Sequence, residues 1–141
     1  MKSFQKKNFK INRIKQKQFL YKIPQYEQSI ASQMRSNDYK KVNQSERTVV
    51  FTFSEISFLR SKWTNGLQIR TPVDEWLDLK KSERYSKEFL YRVAKFATMM
   101  LYRQVCKVIK SFMNIIITKD CVLKAVKLAD KLVKVGNFNN G

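Results

Sequence analysis

Apolar residues in the second half of the chain recur at the spacing of an α-helix. Between residues 86 and 114 they step by threes and fours and so share one face, which predicts a long amphipathic helix with Ser86 as its N-cap. A second set after Thr118 predicts a final helix, capped by that hydroxyl and carrying Asp120 in its first turn. The apolar positions are Leu90, Val93, Ala94, Ala97, Leu101, Val105, Val108 and Phe112 in the long helix, and Val122, Ala125, Val126, Ala129 and Val133 in the final one.

Two shorter helices are predicted ahead of the long one. Thr52 and Glu55 have the spacing of a capping box, which starts a helix from Ser54 to about Asn65. Thr71 and Pro72 start the next helix, because proline is favoured at the first helical position. The sequence therefore predicts an all-α fold, a small helical domain. The first short helix is expected to bury Ile56, Leu59 and Trp63.

The N-terminal region differs in composition from the rest of the chain. Up to Lys22 it has eight Lys or Arg and no acidic residue, and from Pro24 to Arg47 it is dominated by polar residues. Such a segment buries too little apolar area to offset the entropy of ordering it. We therefore predict a basic N-terminal arm over 1–47, flexible until a partner orders it, a helical domain over 48–136 and a disordered tail over 137–141. An organelle-targeting peptide at the N-terminus is the alternative.

The charge of the chain indicates a polyanionic partner. There are 29 Lys and Arg against 11 Asp and Glu, a formal net charge of +18. A polyanion would relieve the resulting self-repulsion, and lysine, which predominates, contacts phosphates as a point charge. On the long and final helices the basic residues lie opposite the apolar faces without balancing acidic residues. The candidate nucleic-acid-binding residues are Lys6, Lys7, Lys10, Arg13, Lys15, Lys17, Arg92, Lys95, Arg103, Lys107, Lys110, Lys124, Lys127, Lys131 and Lys134.

The sequence is poor in catalytic and metal-binding groups. It has no histidine, three glycines and two cysteines, which leaves no imidazole base, no glycine-rich phosphate loop and no zinc-type ligand set. The acidic cluster of Asp74, Glu75 and Asp78 is explained by its position at a helix N-terminus. We expect a protein that is not an enzyme, without catalytic residues, cofactor, metal or small-molecule substrate. No apolar run approaches the roughly 18 residues of a membrane span, so no membrane partner is expected.

The run from Phe89 to Leu132 resembles the second half of a histone fold. That family has a long central helix, a short β-prone linker and a capped final helix, matched here by Leu90–Met113 and the sequence from Asn114 through Ile115-Ile116-Ile117 to Thr118. The resemblance implies that the long helix pairs with a partner protein as a heterodimer. The segment between Asn65 and Ser86 is longer than the family's first loop, so a helix-turn-helix architecture stays open. The partner interface would comprise Phe96, Met99, Met100 and Ile109, which otherwise belong to the core.

These observations lead to one expected function and two alternatives. The first is a non-catalytic DNA-binding subunit of a nuclear chromatin or DNA-modifying complex, such as a DNA methyltransferase assembly. It would grip duplex phosphates without strong sequence specificity. The alternatives are a structural RNA-binding protein of an organellar, for example mitochondrial, ribosome, and a protein-interaction adaptor with an acidic partner.

Overall fold

A computed structural model describes the backbone of residues 2–140 and the side chains of residues 10–133. The chain forms two units. One comprises Met1–Val49 and Phe53–Arg84, and the other comprises Val50–Thr52 and Tyr85–Gly141. We refer to them as the sheet unit and the helical unit.

The sheet unit contains two helices and a three-stranded sheet. Its elements in chain order are α1 (Lys2–Ser36), β1 (Lys40–Val50), β2 (Glu55–Thr64), β3 (Ile69–Arg70) and α2 (Pro72–Trp76). The strand order is β1-β2-β3, and β3 runs antiparallel to β2. Helix α2 begins at proline and carries acidic residues in its first turn, as predicted.

The all-α prediction is wrong, because the segment expected to be a helix from Ser54 to Asn65 is strand β2. Ile56 and Phe58 are buried and Ser57 between them is exposed, which is the two-residue period of a strand. Leu59, which the helical interpretation buried, is 56% exposed. The β-branched and aromatic side chains of this segment favour a strand that is half buried.

Residues 1–47, predicted as an arm, form α1 and most of β1. Helix α1 contacts the rest of the sheet unit through aromatic side chains at helical spacing. Phe19 lies against Phe58 with ring centroids 5.7 Å apart, and Tyr26 stacks on Trp76 at 4.2 Å. Nearer the end of α1, Met34 is buried in a cluster with Tyr39 and Trp63. These contacts bury apolar area that offsets the entropy of ordering the segment, which its polar composition had not predicted.

A carboxylate on α1 also completes the hydrogen bonding of β2. The backbone N–H of Ser61 donates to Glu27 Oε1 at 2.6 Å, and the Ser61 hydroxyl donates to Oε2 at 3.0 Å. Ser61 lies beyond β3, which pairs with Trp63 and Thr64. Glu27 therefore satisfies a buried donor at a point where no third strand is available.

The helical unit contains α3 (Lys87–Ala97), α4 (Tyr102–Met113) and α5 (Lys119–Asn140). The three helices contact one another, and Val50 joins their core. The backbone N–H of Ser86 donates to the carbonyl of Val50 at 2.9 Å, which links the two parts of the unit. The buried core includes Phe89, Leu90, Val93, Ala94, Val105, Ile109, Cys121, Val122 and Ala125.

The single long helix predicted between residues 86 and 114 is two helices, α3 and α4. Helix α3 ends at Thr98, whose hydroxyl donates to the Lys95 carbonyl at 2.6 Å, and Leu101 is extended before α4 begins. The predicted caps are confirmed. Ser86 Oγ accepts from the Phe89 N–H at 3.1 Å, and Thr118 Oγ1 accepts from the Cys121 N–H at 3.3 Å.

Candidate nucleic-acid interface

Each helix of the helical unit buries one face and exposes basic residues on another. On α3, Val93 and Ala94 are buried whereas Arg92 and Lys95 are exposed. This arrangement follows from the helical period, because at about 100° per residue Arg92 and Lys95 each lie roughly 150° around the helix from the midpoint of Val93 and Ala94.

The basic residues of α4 form a row along the helix. Arg103, Lys107 and Lys110 are spaced by four and three, and all three are exposed, while Val105 and Ile109 lie in the core. The spacing places the three cations within about one sixth of the helix circumference.

Helix α5 repeats this pattern. Lys124, Lys127 and Lys131 are exposed at spacings of three and four, on the side opposite buried Val122 and Ala125. The side chain of Lys134, predicted with them, lies outside the described residues. We refer to the described cations on these three helices as the helix cations: Arg92, Lys95, Arg103, Lys107, Lys110, Lys124, Lys127 and Lys131.

Among the described side chains, none of the helix cations forms a salt bridge. The ion pairs Arg47–Asp74, Arg60–Asp74, Arg70–Glu75 and Arg84–Glu55 all lie in the sheet unit. The helical unit has eleven Lys and Arg, and its acidic residues are Glu88, Asp120 and Asp130. The helix cations are therefore exposed positive charges on a folded helical frame, which is an arrangement suited to a row of phosphates.

The other predicted basic residues lie on α1, in the sheet unit. Lys10, Arg13, Lys15 and Lys17 are exposed. The side chains of Lys6 and Lys7 lie outside the described residues. The sequence therefore predicted two groups of cations, and the structure assigns them to different units.

The four residues predicted as a partner interface have different environments. Met99 is 63% exposed, in the connection between α3 and α4. Phe96 and Met100 are partly buried against the core, and Ile109 belongs to the core, at 4% exposed. The four residues therefore do not form one exposed surface, since only Met99 among them is mostly exposed.

A further group of basic residues was not singled out from the sequence. Arg35, Lys40 and Lys41 line a cavity of about 570 Å³ together with Tyr39 and Trp63. The Arg35 guanidinium lies 6.0 Å from the Trp63 ring centroid, within the range of a cation–π contact. The Lys-Lys pair at the start of β1 was the available signal, but the prediction had assigned it to a flexible arm.

Arginine in the sheet unit has a structural role. Arg47 donates to Asp74 Oδ2 at 2.9 Å and to the carbonyls of Lys80 and Glu83 at 2.6 and 2.7 Å. Arg60 lies 3.4 Å from the same carboxylate. These contacts hold the segment after α2 to the sheet, so the acidic cluster predicted from sequence has a buried member with two cationic partners.

A surface ion pair lies beside this network. Arg70 donates to Glu75 at 3.1 and 2.9 Å, and this hydrogen bond raises the pKa of Arg70 above its ordinary value. The two side chains are 40% and 50% exposed. In the part of the chain that the structure describes, no group of His, Cys, Asp and Glu is arranged to hold a metal ion, and no helix has the length and apolarity to cross a membrane.

The chain matches no protein family, no curated protein and no solved structure. The resemblance of residues 89–132 to the histone fold therefore stays a prediction from the sequence.

Proposed function

We propose that this protein is a non-catalytic, duplex-DNA-binding subunit of a nuclear chromatin or DNA-modifying assembly. The observation that supports this proposal is the set of eight helix cations, which are exposed and form no salt bridge among the described residues. Phosphate contacts of this kind supply affinity without reading base sequence. The chemistry would belong to another subunit of the assembly.

The composition of the helix cations favours phosphates over base edges. Six of the eight are lysine, a compact point charge, whereas base recognition in the major groove commonly uses the forked guanidinium of arginine. Binding through such contacts depends steeply on salt, because each neutralised phosphate releases condensed counterions.

The test is a duplex-DNA titration across a salt series with the full chain. A truncation starting at Thr48 is unsuitable, since it would remove α1 and cut β1. The variant Lys124→Gln/Lys127→Gln/Lys131→Gln removes three charges from α5. We expect it to reduce the slope of log K against log salt by about 2 to 3, at roughly 0.9 per lost phosphate contact.

The matched control removes three exposed charges from the sheet unit, as Lys80→Gln/Lys81→Gln/Arg84→Gln. It changes the net charge equally and should leave the slope nearly unchanged. Equal losses in the two variants would mean that DNA responds only to net charge, which would contradict the proposal. No duplex binding by the full chain at low salt would also contradict it.

A second candidate function, a structural RNA-binding protein of an organellar ribosome, is favoured by α1. The first 22 residues carry eight cations and no acid, and Lys10, Lys15 and Lys17 are exposed on that helix. A structured RNA should be titrated alongside the duplex. If RNA binds more tightly and Lys10→Gln/Lys15→Gln/Lys17→Gln removes that preference, the RNA function is favoured over the DNA function.

A further inference from the structure

Helix α1 carries apolar residues on two of its faces, at the three- and four-residue spacings of a helix. The inner face includes Phe19, Ile23 and Tyr26, which are buried or partly buried in the sheet unit. The other face carries Ile11, Ile14 and Tyr21, which are 49%, 50% and 69% exposed. We refer to these three residues as the α1 outer stripe.

The outer stripe has the spacing of a helix–helix seam. Its positions 11, 14, 18 and 21 follow the three–four alternation of a heptad repeat, with Gln18 as the polar member. At about 100° per residue they fall within one quarter of the helix circumference. Single exposed apolar residues are common, but aligned isoleucines at this spacing are what a packed helix pair buries.

Basic residues flank the outer stripe on both sides. Lys10 and Lys17 lie on one side of it, and Lys15 and Lys22 lie on the other, all exposed. The first acidic residue of the helix is Glu27, and its carboxylate accepts hydrogen bonds from the backbone N–H and the hydroxyl of Ser61. A second copy of α1 would bring like charges together along this seam.

We propose that the α1 outer stripe binds an amphipathic helix of an acidic partner protein. The partner would place apolar residues on Ile11, Ile14 and Tyr21, and glutamates or aspartates beside the four flanking lysines, as the charged positions of a coiled coil do. A nucleic acid would satisfy the lysines but would leave the isoleucines exposed to water. This inference does not depend on duplex binding by the helix cations.

The probe is a synthetic peptide of about four heptads, with leucine at the a and d positions and glutamate at e and g. Its own like charges disfavour self-association. A scrambled peptide of identical composition, which has the same charge but no apolar face, is the comparison. We expect the full chain to bind the heptad peptide at least about tenfold more tightly than the scrambled one.

The variant Ile11→Ser/Ile14→Ser should abolish this difference and leave duplex-DNA affinity unchanged. The control Leu67→Ser/Ile69→Ser removes two other exposed apolar side chains of the sheet unit, at 94% and 72% exposure, and should preserve the difference. Circular dichroism of both variants checks that α1 is retained.

Equal binding of the two peptides, or an unchanged preference for the heptad peptide in the Ile11/Ile14 variant, would overturn the proposal. It would also be overturned if that variant lost duplex affinity as strongly as peptide affinity.

Discussion

The carboxylate of Asp74 pairs with two arginines in the sheet unit. It is mostly buried, at 13% side-chain exposure, and it faces the guanidinium groups of Arg47 and Arg60, at 9% and 13% exposure. Removing one partner of a buried pair leaves a desolvated charge without compensation, which costs more than the pair contributes. Here the Asp74 carboxylate is the counterion of both Arg47 and Arg60.

We expect Asp74→Ala to lower the free energy of unfolding by about 3 kcal/mol or more. Urea unfolding should be followed by tryptophan fluorescence, because Trp63 and Trp76 both lie in the sheet unit. The control Glu75→Ala removes a neighbouring carboxylate whose pair with Arg70 is exposed, and it should cost at most about 1 kcal/mol. Similar losses in the two variants would show that the buried network does not stabilise the unit.

At the scale of single residues, the sequence predicted helix-capping residues correctly but did not predict ion-pair partners that are distant along the chain. Ser86 and Thr118 are the caps that their local sequence indicated. Asp74 was correctly placed near the start of a helix, but its partners precede it by 27 and 14 residues in β1 and β2. Such partners depend on strand pairing, which a local pattern does not specify.

The N-cap of α3 contributes to stability at the scale of the element. Ser86 is 2% exposed and its hydroxyl accepts from the Phe89 N–H, so Ser86→Ala leaves a buried donor unsatisfied. We expect a loss of about 1 to 2 kcal/mol, measured by urea unfolding with far-ultraviolet circular dichroism. The control Ser111→Ala, at an exposed position inside α4, should be neutral or stabilising by a few tenths of a kcal/mol. A loss in the control as large as that of Ser86→Ala would contradict a specific capping role.

The helix–strand error at β2 has a physical cause. Ile56, Leu59 and Trp63 fit the helical period, yet Ile56 and Phe58 fit the strand period equally well. In a short segment that fits both periods, tertiary packing decides whether a helix or a strand forms. Here α1 contacts β2, and β3 pairs with the C-terminal end of β2. A capping-box spacing before such a segment is too weak a signal to settle the choice.

Helix α1 and the break between α3 and α4 were missed for different reasons. Pro24 lies inside α1, where a proline normally marks a boundary, but Phe19 and Tyr26 anchor the helix on both sides of it. The break at Thr98–Leu101 contains neither glycine nor proline, so the sequence offered no stop signal. The apolar period continues through it, because α3 and α4 both face the same core.

For the whole molecule, the excess of positive charge was evident from the sequence, but its distribution over two units was not. Among the described side chains, the eight helix cations form no salt bridge, whereas the sheet unit uses several arginines in ion pairs. A polyanionic partner stays a prediction from the composition, and the fold shows which of the described cations are exposed. The same excess has a consequence for the free chain, because unpaired like charges destabilise a folded state.

We expect sodium chloride to stabilise the full chain against heat. Raising the salt shortens the Debye length from roughly 10 Å at 0.1 M toward 3 Å at 1 M, which weakens repulsion among the unpaired cations. We expect a gain of about 1 kcal/mol, or roughly 4 °C in Tm, measured by circular dichroism. The variant Lys124→Gln/Lys127→Gln/Lys131→Gln should melt higher than the wild-type chain at low salt, and the difference should disappear at high salt. A Tm that falls with salt would instead mean that the ion pairs of the sheet unit dominate, and that the net charge of +18 is not a source of instability.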